Sequence, residues 1–319
     1  MNTHRPNRTA GLLGRLPPYV YYLSAGTTLV FGASYYVFLD QVPLTQRRRW
    51  IATSPAFEQR AGDEEYAKLR RQFHTQILPR THRATATVHR VGDRLSQAAA
   101  HFAQQHHISS PNSSQPYTYT VVRNDMANAF VLPGNHVFVM TGLFQYVQSE
   151  DDLAAVLGHE MAHNVARHAG EKVSSSLVVN LLARLSLLLD PSGVLLGVLL
   201  PAATVLRELP HSRVQETEAD QIGLHLAARA CYDPAAAKRV FANMQSAEGA
   251  ASPPEFLSTH PTHKTRIQNF DQWLPAARDE FRSNPHCQTI RRDMQLARQA
   301  AAWEATVREG QRTTSSKRH

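Results

Sequence analysis

Ser149-Glu150-Asp151-Asp152-Leu153-Ala154-Ala155-Val156-Leu157-Gly158-His159-Glu160-Met161-Ala162-His163 decides how this chain is read. Ser149 is a helix N-cap, three carboxylates fill the first turn, and Leu153, Val156, Leu157 and Met161 recur at helical spacing. The pattern predicts one helix that runs to His168 and stops near Gly170. Residues four apart on a helix share a face, about 40° apart and one turn up, so His159 and His163 can reach one metal. Glu160, beside them, can take a proton from a water that the metal activates. This H-E-x-x-H run is the arrangement of a zinc peptidase, with two imidazole ligands and a general base. The chain holds 17 histidines, so five residues can match by accident and the reading needs independent support.

Such a site requires a third protein ligand on another element. Ser212-Arg213-Val214-Gln215-Glu216-Thr217-Glu218-Ala219-Asp220 supplies it. Ser212 can cap a helix whose buried stripe includes Ile222 and Leu226, which places Glu216 and Asp220 on one face at i and i+4. Glu216 is the expected third ligand, and Asp220 is placed to orient a ligand histidine through its other ring nitrogen. The alternative for an isolated helix is a solvated acidic face of Glu216, Glu218 and Asp220 paired with Arg213.

H-E-x-x-H followed about 50 residues later by S-R-x-x-E-x-x-x-D resembles the M48 metallopeptidases, a gluzincin family. Asn128-Ala129-Phe130-Val131-Leu132-Pro133-Gly134-Asn135, followed by Val137-Phe138-Val139, is similar to the family's strand and hairpin before the zinc helix. Thr259-His260-Pro261 and Arg266-Ile267 resemble its T-H-P and R-I segment. Val42-Pro43-Leu44-Thr45-Gln46-Arg47-Arg48-Arg49 is similar to a mitochondrial inner-membrane branch of the family.

The resemblance implies an α+β, mainly helical gluzincin fold with a small antiparallel sheet beside the zinc helix, and one Zn2+ per subunit. It implies His260 as an oxyanion partner, although His260 could instead occupy the open zinc position at rest or serve a structural role. Arg266 is expected to pair with a carboxylate near the site. The strand at Asn128, Ala129, Phe130 and Val131 is expected to bind an extended substrate along its edge, an ordinary interior strand being the alternative. Other histidines, among them His136, His168 and His225, are expected on the surface or in packing roles. For the branch, substrates are inner-membrane proteins with exposed loops, including a dynamin-like fusion GTPase, and the peptidase domain faces the intermembrane space.

Departures from the family pattern are two. Asn135 replaces a second glycine, and Asn also tolerates a left-handed turn. Cys231 replaces glycine after the Glu216 helix, which puts a thiol at a helix C-terminus. Cys231 and Cys287 cannot make a zinc knuckle and read as two free thiols, with a disulfide as the alternative in an oxidising compartment.

The ends of the chain carry a separate signal. Residues 16–39, about 24 positions without a charge, suffice in length for a transmembrane helix, and tyrosines lie toward both ends as in aromatic belts. A buried soluble helix and a cleaved signal segment are the alternatives. Arginines flank both sides, so charge leaves the orientation open. Residues 1–15 form a basic lead, 40–85 a juxtamembrane helix and linker, 86–275 the peptidase domain, and 276–319 a helix at 291–309 with a disordered basic tail. The apolar stretch 177–206, broken by Arg184, Asp190-Pro191-Ser192-Gly193 and Pro201, reads as a hairpin against the bilayer or as core or oligomer-contact helices.

The net charge of +8 lacks the basic and aromatic alternation of a nucleic-acid groove, so nucleic acid is excluded as a partner. The expected partners are membrane-protein substrates, the lipid bilayer and further copies of the chain. A zinc-dependent assembly factor or membrane scaffold with little proteolysis is the other function class, and the intact base Glu160 argues against a vestigial site.

Overall fold

The computed structural model describes residues 18–108, 115–194, 196–197, 213–247, 254–260 and 265–290, with scattered positions between 292 and 299. The fold is mainly helical with two small sheets. Helix α1 covers Pro18–Val37, opening on proline where the missing amide costs nothing. At 20 residues it has the length to cross a bilayer, but no helix among the described residues is both long and apolar enough to do so. The transmembrane reading of 16–39 is corrected on this point: the same tyrosines, with Ser24, Thr27, Thr28 and Ser34, dilute its hydropathy.

Residues 40–85, read as helix and linker, contain an antiparallel ribbon of β1 (Leu39–Gln41) and β2 (Arg48–Trp50), with Leu39 opposite Trp50. Helix α2 (Pro55–Gln72) follows, its first turn capped by the Ser54 hydroxyl, which accepts from the Phe57 amide. Helix α3 (Arg83–Gln105) is amphipathic and buries Val88, Val91, Leu95 and Phe102 along one face.

The second sheet has the order β3 (Thr118–Val122), β5 (His136–Met140), β4 (Ala129–Leu132). Strands β4 and β5 form the expected hairpin, with Ala129 opposite Val139 and Val131 opposite Val137. Its turn needs left-handed backbone at two successive residues, supplied by Gly134 (φ 87°) and Asn135 (φ 64°). Strand β3 pairs parallel to β5, so the sheet is mixed and not antiparallel as expected. The chain between β3 and β4 crosses to the far side of β5, which lets β3 enter in the same direction. Strand β5 is buried on both faces, and β4 is left as an edge.

Helix α4 (Glu150–Val165) starts at Ser149, whose hydroxyl accepts from the Asp152 amide. It ends at Val165, short of the predicted His168, because Arg167 adopts a left-handed conformation (φ 53°). Arg167 is held there by Glu58 on α2 and by the Thr53 carbonyl. Helix α5 (His168–Leu189) begins immediately and contains Gly170; it passes through Arg184 and breaks at Asp190, leaving Leu177, Leu181, Leu185 and Leu188 exposed. The remainder of the apolar stretch from 198 onward, Ser212 and the tail beyond 300 lie outside the described residues.

Helices α6 (Arg213–Arg229), α7 (Ala235–Ser246), α8 (Glu255–Thr259) and α9 (Arg266–Ser283) complete the fold. The core sits where α4 and α6 cross. Gly158 and Gly223 meet at that crossing: a Cβ on Gly223 would lie 3.0 Å from the His159 amide nitrogen. Two glycines therefore let the helices approach closely enough for Glu216 to reach the histidines of α4.

Cys231 and Cys287 form a disulfide, with Cα atoms 4.9 Å apart. This corrects the reading of two free thiols. Cys231 takes the left-handed conformation (φ 65°) at the end of α6, and the chain after α9 returns to that point with Cys287 buried.

Candidate metal centre

Four ligand atoms from His159, His163, Glu216 and His260 lie within 4.8 Å of one another, all on buried residues. The first three are the predicted ligands. His159 and His163 are buried because α4 is packed on all sides, and Glu216 is fully enclosed on α6. His159 Nε2 and His163 Nε2 each stand 3.4 Å from a Glu216 carboxylate oxygen and 3.1 Å from each other.

The outer nitrogens of the two rings are already engaged. His159 Nδ1 lies 2.9 Å from Asp220 Oδ1, and His163 Nδ1 lies 2.7 Å from His168 Nδ1. An Nδ1–H donated to Asp220 leaves the lone pair of His159 Nε2 pointing inward, and the same tautomer of His163 aims a second lone pair at the same place. Two imidazole lone pairs and a buried carboxylate converging on one point repel unless a cation sits among them. The donor set therefore fits zinc, which favours nitrogen and carboxylate ligands.

Charge follows the same logic. Burial pushes the Glu216 carboxyl up, but the His159, His163 and His260 rings outweigh it and hold it far below the usual carboxylate range. Burial pushes His159 down, yet its hydrogen bonds to Asp220 and Glu216 prevail and lift it to about 9 in the metal-free protein. Asp220 is itself fixed by Arg266 Nη2 at 2.7 Å, and the Arg266 guanidinium lies 4.0 Å from the centroid of the Phe241 ring. Asp220 thus lies behind His159, and Arg266 pairs with that carboxylate.

Glu160 is buried, and burial raises its carboxyl above the ordinary range despite the nearby His260 and His159 rings. A backbone hydrogen bond from Val131 on β4 reaches it, and His260 Nε2 lies 3.2 Å from its Oε1. His260 Nδ1 faces the other way, 3.0 Å from Glu216 Oε1 and 3.2 Å from His159 Nε2. The sequence left His260 as an oxyanion partner, an occupant of the open zinc position or a structural residue; the structure places it in the ligand cluster.

Of the expected substrate strand, Asn128 precedes β4 and is buried, as is Ala129, while Phe130 and Val131 are half-buried. Ala129 and Val131 pack toward the main core; Phe130 turns to the other face and stacks on Phe138. The acidic-face alternative for α6 is overturned. Glu218 is buried and bonded to Arg47 and His168, and Glu216 to the site. His168, expected in a surface or packing role, is fully buried against His163.

Comparison with known proteins gives the same result. The pattern of peptidase family M48 matches residues 83–274. The mitochondrial metalloendopeptidase OMA1 of Schizosaccharomyces pombe is 40% identical over 248 residues, covering 77% of this chain and 69% of that protein. The protein of the same name from Saccharomyces cerevisiae is 33% identical over 263 residues, covering 79% and 75%. The human metalloendopeptidase OMA1, mitochondrial, is 31% identical over 261 residues, covering 78% of this chain and 48% of its own length. With the buried His159, His163, Glu216 and His260 cluster inside the stretch that the family pattern matches, this chain belongs to peptidase family M48 and is a zinc metalloendopeptidase.

Proposed function

We propose that this endopeptidase works at the mitochondrial inner membrane, with residues 86–275 as its peptidase domain facing the intermembrane space. Its substrates are membrane proteins with exposed loops, a dynamin-like fusion GTPase among them, cleaved for quality control and under stress. The names of the relatives support the mitochondrial address. The disulfide fits an oxidising compartment, and the exposed leucines of α5 with the uncharged α1 support contact with a membrane. Self-association through the same apolar surfaces completes the reading.

His159, His163 and Glu216 would hold the zinc, which when bound would supply a Lewis acid that makes water nucleophilic near neutral pH and polarises the scissile carbonyl. Glu160 accepts the proton of the attacking water and returns it to the leaving amine. Asp220 and Arg266 keep His159 in the tautomer that ligates. The free edge of β4 takes an extended peptide as an added strand, with the Val131 main chain beside Glu160 setting its height over the base. His260 stands beside the other three residues of the cluster, with Nδ1 3.0 Å from Glu216 Oε1 and Nε2 3.2 Å from Glu160 Oε1. Its Nε2, beside the base, would be the donor that this chain offers to a developing oxyanion.

The observation that carries this reading is the buried convergence of three imidazoles and one carboxylate beside a base whose other neighbour is an open strand edge. The test is cleavage of a substrate tethered to vesicles by the zinc-loaded chain and by Glu160→Gln with equal zinc content. Loss of at least about a hundredfold in rate is expected for the variant. Equal cleavage by both forms would defeat the mechanism.

A further inference from the structure

We infer that Arg47, Glu218 and His168 are positioning residues for His163, so that the ribbon ahead of the family-matching domain is a working part of the metal centre. The inference rests on His163 being a zinc ligand. It begins with an asymmetry. His159 is backed by a carboxylate and an arginine, Asp220 and Arg266. At His163 Nδ1 stands a second imidazole, His168 Nδ1, at 2.7 Å.

The chain of contacts continues to the same kind of end. A His163 that ligates through Nε2 carries its proton on Nδ1 and donates it to His168 Nδ1. His168 then carries its own proton on Nε2, which faces Glu218 Oε2 at 3.2 Å. Glu218 Oε1 accepts from Arg47 Nε at 2.7 Å and from the Thr45 hydroxyl at 2.9 Å, and Oε2 accepts from Arg47 Nη2 at 2.9 Å. Arg47 also donates two bonds of 2.8 Å to Glu171, from Nη1 and Nη2. Both ligand histidines are therefore oriented by a carboxylate and arginine pair, the second through one intervening ring.

The placement of Arg47 gives the relay its consequence. The family pattern begins at residue 83, whereas Arg47 sits between the two strands of the ribbon that follows α1. The next basic residues show that the turn is specific: Arg49 is buried against the Ala166 carbonyl and Asp40, while Arg48 is exposed. The ribbon that directly follows α1 thus carries the arginine at the far end of the relay. A stability role alone would place Arg47 and Glu218 together without aligning His168 on the Nδ1 of a ligand.

The test uses the full chain loaded with zinc, with zinc transfer to a chromophoric chelator as the first readout and the visible spectrum of the cobalt-substituted protein as the second. Glu218→Gln keeps the shape and removes the charge; Arg47→Lys keeps the charge and loses the fork. Both are expected to release zinc roughly ten- to a hundredfold faster and to alter the cobalt spectrum, with the double variant no worse than the poorer single. Arg48→Met is expected to behave as the parent. Wild-type release and an unchanged cobalt spectrum in the two single variants, whatever happens to their thermal midpoints, would overturn the relay. If Glu218→Gln fails to fold, Arg47→Lys decides the matter alone by the same two readouts. His163→Ala separates the premises: loss of zinc there with no effect of Glu218→Gln sinks the relay only, while retention of zinc by His163→Ala sinks the ligand reading beneath it.

Discussion

His260 and Glu160 face each other at 3.2 Å in a buried site, and the two residues carry opposite expectations. His260→Ala leaves His159, His163 and Glu216 intact, the three residues taken to hold the metal, so the chain is expected to keep one zinc while releasing it faster, as checked by metal analysis after dialysis against a chelator. His159→Ala is expected to lose the zinc. Proton competition sets the pH dependence of loading. His159 in the metal-free protein holds its proton up to about 9, and a ligand must be neutral, so zinc affinity should rise with pH until about 9 and level off there. A pH series of zinc titrations reads this directly. At this scale the sequence was informative where spacing carries the information, as for His159, His163, Glu216 and Asp220 on two helical faces. His168, Glu218 and Arg47 were hidden, because Arg47 meets its partners 171 and 124 residues away and no local pattern encodes such pairs.

The crossing of α4 and α6 is the element on which the site depends. Gly223→Ala places a methyl 3.0 Å from the His159 amide nitrogen and 3.1 Å from the Gly158 carbonyl carbon, against backbone that cannot rotate away. The helices must separate, at a cost of about 1–3 kcal/mol, and Glu216 is carried away from the histidines. Both a lower thermal midpoint and faster zinc release are expected, and an unchanged protein on both counts would contradict the role given to the crossing. The sequence revealed both helices through caps and apolar periodicity but placed the end of α4 too late. Arg167 decides that boundary through a tertiary pair with Glu58, which overrides a continuous helical pattern. The direction of β3 was equally invisible, since strand alternation says nothing of parallel or antiparallel pairing.

Over the whole molecule, long-range ties join the N-terminal ribbon and the C-terminal helices to the peptidase core. Burial pushes Glu218 up, but His168 and Arg47 outweigh it and hold it at about 2, below its unfolded value near 4.5. A depressed carboxylate stabilises the fold above its unfolded pKa, so this contribution, on the order of 3 kcal/mol, is lost as pH falls from about 4.5 through about 2. Glu218→Gln should flatten that part of the acid-unfolding curve, which denaturant titrations across the range would show. The disulfide closes a loop spanning 56 residues, and its removal by Cys287→Ser should cost about 2–4 kcal/mol in equilibrium unfolding. Its pairing was not legible because it depends on where the chain returns after α9.

The metal centre is the claim from which every other step follows, and zinc-edge X-ray absorption of the loaded chain tests it most directly. One zinc per chain is expected, with only nitrogen and oxygen neighbours at about 2.0–2.2 Å, imidazole scattering from the histidines, and a changed first shell in Glu216→Gln. A sulfur neighbour at about 2.3 Å, or a first shell indifferent to Glu216→Gln, would contradict it.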